Sequence, residues 1–219
     1  MIAMSQITLT ENNHILFKGV VNAQSVAKAS TDLLKLSFRT KPGDTIYLVL
    51  DSPGGSVFDG LDFVQLFATI PRNVECIAKR AHSMAHHFLQ ACPGKRHGLA
   101  NMMSMAHRAS GSFRGSFNKG AVEQQLEFVT GVVQSMEKVN AKRMGLSLEK
   151  YQELAKEEYW CHGYGCVKKN FVDSIATVSC SEKLVNEETS REVTTFFGTY
   201  TVYESRCPLI GMTRYERKR

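Results

Sequence analysis

Thr45-Ile46-Tyr47-Leu48-Val49-Leu50-Asp51-Ser52-Pro53-Gly54-Gly55-Ser56-Val57 is the stretch on which the reading of this chain turns. The unbroken apolar run from Ile46 to Leu50 is that of a strand covered on both faces, as in a parallel sheet. It stops at Ser-Pro-Gly-Gly. Pro53 fixes its own φ and has no amide to donate, and Gly54 and Gly55 allow backbone angles and close approaches that a Cβ resists. The amides of Gly55 and Ser56 then emerge between a buried strand and the next helix, aimed outward. Backbone N–H groups placed this way suit a developing negative charge. From these residues alone, a tight turn without chemistry is an equally good reading. A nucleophile and a base downstream decide between the two.

Outward from this turn, strands and helices alternate. The pattern predicts strands over Ile15–Val21, Thr45–Leu50, Val74–Ala78 and Leu99–Ala106, and helices over Ala23–Leu36, Val57–Thr69 and Ser83–Ala91. Such a rhythm implies an α/β fold with a mostly parallel sheet and right-handed crossovers. Residues 110–120 are Gly/Ser-rich with alternating Phe, either a flexible loop or an exposed strand. A long helix follows, about Ala121–Arg143, with Val122, Leu126, Val129, Val133, Met136 and Val139 as its apolar stripe. It either protrudes toward another subunit or packs on the core. Ser147 is placed to cap a helix over Leu148–Lys156, Gly163–Lys169 forms one or two more turns, and Phe171–Ile175 leads into a last strand. We divide the chain into a domain over 1–183 and a C-terminal appendage over 184–219, with a β-like run at Val193–Tyr203.

Composition narrows the function classes. The chain has 219 residues, 43% of them hydrophobic, enough for a substantial core, and a net charge of +6. The charge is dispersed until Arg214, Arg217, Lys218 and Arg219, without the aromatic-interleaved basic clusters of a nucleic-acid binder. Met1–Phe17 has no long apolar core of a secretory signal, and no run reaches the length of a membrane span, so a soluble, cytoplasmic protein is expected. The six cysteines are scattered without export signals and read as reduced and structural. Cys161, His162 and Cys166 lack a second pair at zinc spacing, so no metal and no cofactor is expected.

Ser83 follows a predicted strand and opens a helix, where Met84 offers its amide beside it. A serine there is most often a plain helix cap. His107 changes the balance, because it ends the next predicted strand, and consecutive strands of such a sheet are often neighbours.

Taken in order, these segments resemble the ClpP family, the proteolytic subunits of Clp proteases. The residues that carry the resemblance are Asp51-Ser52-Pro53-Gly54-Gly55-Ser56-Val57, Ala81-His82-Ser83-Met84-Ala85, Met105-Ala106-His107, Gly145-Leu146-Ser147-Leu148-Glu149 and Asn170-Phe171-Val172-Asp173-Ser174-Ile175, covering roughly residues 15–178. The resemblance implies a ClpP/crotonase-type fold of stacked βαβ units, with a handle of one strand and a long helix over about 110–143. It also implies a serine peptidase of polypeptides assembled into heptameric rings, often stacked in pairs. By position Ser83 is the nucleophile, His107 the general base, and Gly55 and Met84 the oxyanion amides. The acidic member falls on Glu158, a glutamate where the family has aspartate, with Glu157 as its alternative.

Departures from the family are informative. His82, His86 and His87 crowd the nucleophile, either tuning the site or packing at an interface, and Arg108-Ala109 replaces the usual Gln-Pro. The N-terminal segment is short. Of the aromatic positions of the family's ATPase-docking groove, Tyr47 has a counterpart while Val49 stands where an aromatic is common. A Clp-type unfoldase partner is therefore doubtful, and the ATPase-independent head-maturation proteases of tailed phages are an attractive match, placing the protein in a bacterial or phage-infected cell. Two alternatives stand beside this reading: a catalytically silent ring subunit, and a crotonase-type acyl-CoA enzyme, whose fold also uses paired backbone amides.

Overall fold

A computed structural model describes residues 5–110 and 118–218. In chain order the elements are β1 (Ser5–Leu9), β2 (His14–Lys18), α1 (Ala23–Arg39), β3 (Thr45–Ser52), α2 (Val57–Leu66) with a 3-10 turn at Phe67–Thr69, β4 (Asn73–His82), α3 (Met84–Gln90), β5 (Arg96–Ala106), α4 (Lys119–Arg143), α5 (Leu148–Ala155), β6 (Tyr159–His162), α6 (Tyr164–Lys168), β7 (Ser174–Cys180), α7 (Glu182–Asn186), β8 (Glu188–Thr195), β9 (Gly198–Ser205) and β10 (Met212–Arg217). The main sheet runs β1-β7-β5-β4-β3-β2, every pair parallel, with β6 antiparallel on the far end of β5. This is the expected α/β fold with a mostly parallel sheet.

Both faces of β3 are covered, which is why its sequence is continuously apolar. Ile46, Leu48 and Leu50 face the helical side, in one core with Phe17, Phe63 and Phe88, whose rings sit 5.0–5.4 Å apart. Tyr47 and Val49 face the other way, in a second cluster with Ile7, Leu9, Ile77, Leu184, Cys207 and Leu209. The cover on that face therefore comes partly from the C-terminal segment, where β8, β9 and β10 form a separate antiparallel sheet. Lys18 of β2 reaches Glu204 of β9 at 3.0 Å. Burying a side chain such as Leu184 completely contributes about 2 kcal/mol.

Several elements differ from the sequence reading. β1 and β6 were not anticipated. Each is short and acquires its conformation from a partner, β7 and β5 respectively, and not from its own pattern. The β-like run near 193–203 divides at Phe196-Phe197 into a hairpin. The strand expected within the handle, over 110–120, and the residues Met1–Met4 and Arg219 lie largely or wholly outside the described residues.

The cysteines require a correction. All six are paired, not reduced: Cys76–Cys92, Cys161–Cys166 and Cys180–Cys207, with Cα–Cα distances of 6.1, 5.0 and 5.9 Å. Separations of 16, 5 and 27 residues form no recognisable framework, because tertiary packing brings the partners together. Cys76 in β4 meets Cys92 just beyond α3, Cys161 and Cys166 bridge the turn from β6 to α6, and Cys180 at the end of β7 holds Cys207 beyond β9. Among the described residues, no helix is long and apolar enough to cross a membrane.

Candidate active site

Strand register brings Ser83 and His107 together. His82, the last residue of β4, pairs with Met105 of β5, so Ser83 and His107 leave the same sheet edge from neighbouring strands. Ser83 N donates to Met105 O at 2.8 Å, and Ser83 Oγ lies 2.6 Å from His107 Nε2. That is the contact a base needs to take the hydroxyl proton. The serine turn is strained: Ser83 has φ 54° and ψ −121°, backbone that side-chain-bearing residues rarely adopt. The β6–α6 turn repeats this geometry at Gly163, with φ 50° and ψ −132°. Gly163 N donates to Met102 O at 2.9 Å, and Cys166 N to Gly163 O at 3.0 Å, as His86 N does to Ser83 O at 2.9 Å.

The two expected oxyanion amides line the same cavity. Val21 N donates to Gly54 O and Ser56 N donates to Val21 O, both at 2.8 Å, in a one-residue parallel bridge. Those bonds occupy one side of the chain, so the Gly55 amide points to the other, with no acceptor among the described residues. At the start of α3 the Ser83 carbonyl takes the amides of His86 and His87, leaving the Met84 amide similarly free. Gly55, Ser83, Met84 and His107 together line a small open cavity of about 110 Å³.

Glu158, the expected acidic member, makes no hydrogen bond to His107. Tyr159 pairs with Ala106 as the last pair of the antiparallel β5–β6 register, and Glu158 and His107 are the residues that adjoin this pair just outside the two strands. Glu158 has φ 68°, and its Oε2 accepts from Trp160 Nε1 at 3.0 Å. Among the described residues His107 Nδ1 has no hydrogen-bond partner. Glu157 is exposed and also makes no contact with the imidazole.

The three neighbouring histidines do different things. His82 packs edge-on against Trp160, ring centroids 4.9 Å apart. His86 is buried against Phe171, with Nδ1 3.2 Å from Ser104 Oγ, whose hydroxyl donates to Ala81 O at 2.7 Å. Burial pushes the His86 imidazole down to about 3, with His87 and Arg96 adding to the effect, so it packs as a neutral group. His87 borders the cavity. Its Nδ1 lies 2.7 Å from Asn140 Oδ1, and Asn140 Nδ2 donates to Tyr151 Oη at 2.9 Å. Burial also lowers the His87 pKa, opposed by the bond to Asn140.

The sequence reading missed the far wall of the cavity, made by Val133, Met136, Glu137 and Asn140 of α4 with Tyr151 of α5. A signal was present. The positions 133, 136, 137 and 140 share one helix face, and Glu137 and Asn140 interrupt its apolar stripe where it meets the core. Only Glu137, Asn140 and Ala141 of α4 are buried, and farther out Phe128 stacks on Phe58 of α2 with ring centroids 6.1 Å apart.

A serine hydroxyl in contact with an imidazole, beside two free backbone amides, is an arrangement that can support acyl transfer. The family model described as Clp protease matches residues 3–179. The chain is 28% identical over 169 residues to the ATP-dependent Clp protease proteolytic subunit of Streptococcus pneumoniae strain P1031, covering 76% of this chain and 86% of that protein. The protein of the same name from Streptococcus agalactiae serotype V matches to the same extent, 28% over 169 residues. With the family model spanning most of its length, the chain belongs to the Clp protease family.

Proposed function

We propose that this protein is a serine endopeptidase that hydrolyses polypeptides through an acyl-enzyme. The observation that carries this is the 2.6 Å contact between Ser83 Oγ and His107 Nε2, beside the free amides of Gly55 and Met84. As Ser83 Oγ attacks a peptide carbonyl, its proton passes to His107 Nε2, and the two amides hold the carbonyl oxygen as it gains charge. His107 then protonates the leaving amine, and water, deprotonated by the same nitrogen, frees the acyl group. Glu158 completes the site by rotating its carboxylate from Trp160 to His107 Nδ1, where it fixes the tautomer and stabilises the imidazolium. Glu157 is the fallback for this role.

We further propose a homo-oligomeric ring, heptameric as the family resemblance implies, in which the exposed face of α4 packs against the neighbouring subunit. Leu126, Phe128 and Val139 are all exposed on that helix. The ring works without a Clp-type unfoldase. Tyr47 and Val49, the positions that match the docking groove of the family, lie beneath the chain's own C-terminal segment. Capsid maturation in a phage-infected cell is the setting we favour, and the appended sheet is the feature that sets this chain apart for it. Stoichiometric co-purification with a hexameric ATPase would remove the unfoldase-free reading.

A second reading, a silent ring subunit, is favoured by one observation: the Glu158 carboxylate is engaged by Trp160 and not by His107. Labelling the assembled protein with a fluorophosphonate separates the two. The peptidase reading expects labelling of wild type and none of Ser83→Ala, whereas assembled rings without Ser83-dependent labelling would establish the silent subunit. The acyl-CoA alternative does not need the Ser83–His107 contact, and it falls if no acyl-CoA binds.

A further inference from the structure

The cavity beside Ser83 presents hydrogen-bond acceptors. Glu137 is only 8% exposed, yet among the described residues no Lys, Arg or His lies within ion-pair distance of it. Gln152 Nε2 donates to its Oε2 at 2.6 Å, and its Oε1 receives no hydrogen bond among the described residues. His87 adds a second acceptor. Asn140 Nδ2 donates to Tyr151, so Asn140 Oδ1 accepts from His87 Nδ1–H, which leaves the Nε2 lone pair of a neutral imidazole on the cavity side. Met84, Val133 and Met136 supply apolar walls for an aliphatic stem. A buried carboxylate without a counter-cation is costly, and a cation arriving with the substrate offsets that cost.

We infer that Glu137 determines specificity, selecting a lysine or arginine on the acyl side of the scissile bond. Both side chains carry donors and no acceptors, matching a wall of acceptors, and both have long apolar stems. A leucine would leave Glu137 Oε1 desolvated and unpaired, and a glutamate would set two carboxylates together. This inference rests on the peptidase reading, with Ser83 as nucleophile.

The test uses the assembled full-length protein and matched peptidyl-aminocoumarins differing only at that residue: Lys, Arg, Leu and Glu. A small neutral fluorophosphonate reports Ser83 reactivity separately. Expected are kcat/KM values for Lys and Arg at least about tenfold above Leu, with Glu lowest. Glu137→Gln should reduce the Lys-to-Leu ratio about tenfold, and Glu137→Lys should shift preference toward Glu. Ser83-dependent labelling together with equal or better cleavage after Leu would overturn the inference while leaving the peptidase intact. Absence of Ser83-dependent labelling would overturn both. Should the Glu137 variants not assemble, the wild-type profile decides alone.

Discussion

Replacing Gly54 by alanine tests whether the Ser-Pro-Gly-Gly turn positions the nucleophile or only connects two elements. A Cβ at Gly54 would lie 2.6 Å from Ser83 Cβ, 2.7 Å from His82 O and 2.9 Å from Met84 N. Ordinary carbon contacts are about 3.5–4.0 Å, so roughly 1 Å must be found, and two of the three neighbours are backbone atoms that cannot rotate away. The residue also has φ +93°, which costs an alanine about 1–2 kcal/mol. With about 1–3 kcal/mol more for the overpacking, the expected destabilisation is about 2–5 kcal/mol. The larger effect is on chemistry. A shift of about 1 Å between nucleophile, base and amides costs on the order of 10²-fold. Labelling by a fluorophosphonate should therefore slow about 100-fold in Gly54→Ala, measured beside a thermal melt by circular dichroism. Gly131→Ala is the control, because a Cβ at that position in α4 meets nothing within 4 Å, and it should stabilise the chain by up to about 1 kcal/mol. A Gly54→Ala protein that labels and melts like wild type would refute the argument.

Other outcomes follow from buried charge and from the cystines. Arg96 is buried, and Asp173 accepts from its Nε and backbone N; Asp173→Ala strands that guanidinium and should cost about 3 kcal/mol or more in urea unfolding at pH 7. Burial alone would push the Asp173 carboxyl up, but hydrogen bonds and charge from Arg96, with Arg143 adding, outweigh it and hold the pKa below its ordinary value. Its contribution is thus present above the unfolded-state pKa of about 3.9, so the gap between wild type and variant should narrow only below about pH 4; a gap that closes already at pH 6 would contradict the assignment. His86 and His87 have the opposite charge type and lowered pKa values. Below about pH 6.5 the unfolded chain binds protons that the folded one refuses, so each histidine removes up to about 1.4 kcal/mol per pH unit, and His86→Gln should lessen the slope by about one proton. A slope unchanged by that substitution would show that His86 does not titrate as described. Protein purified without reductant and then unfolded should react with a thiol reagent at none of its cysteines. Reaction at all six would restore the reduced expectation. Opening the 27-residue Cys180–Cys207 loop should cost about 3.5 kcal/mol of chain entropy.

The fold was legible where a segment carries its own pattern. The run from Ile46 to Leu50 and the Ser-Pro-Gly-Gly turn indicated a buried parallel strand and outward amides at Gly55 and Ser56. The strand and the free Gly55 amide are present, but the Ser56 amide is taken by Val21 O at 2.8 Å, because the turn bridges to Val21 just beyond β2. Ser83 and His107 were legible because each ends a strand, and neighbouring parallel strands present their ends at one edge. β6 was not, because Tyr-Trp-Cys-His has no periodicity and becomes a strand only by adding to the edge of β5. That same addition brings Glu158, the residue before β6, to the end of β5 that precedes His107 without fixing where its carboxylate points, a matter of side-chain rotation that spacing does not encode. Glu137 was hidden for another reason. A glutamate on a long helix ordinarily reads as solvated, and only the packing of α5 against α4 buries this one.

The twin turns at Ser83 and Gly163 amount to an experiment the chain has performed on itself. The same backbone bend occurs twice, after β4 and after β6, and where it serves only to change direction the residue has no side chain. The other copy holds a serine against a local penalty of about 1–3 kcal/mol. Relieved of any task, that position would be better filled by glycine, so Ser83→Gly should yield a protein that melts higher than wild type while losing all labelling. The hydroxyl stays where backbone preference alone would have erased it, and the rise in melting temperature of Ser83→Gly gauges how much stability is forgone to keep it there; at Gly163 a side chain is excluded also by Ala100 O, 2.8 Å from where a Cβ would sit.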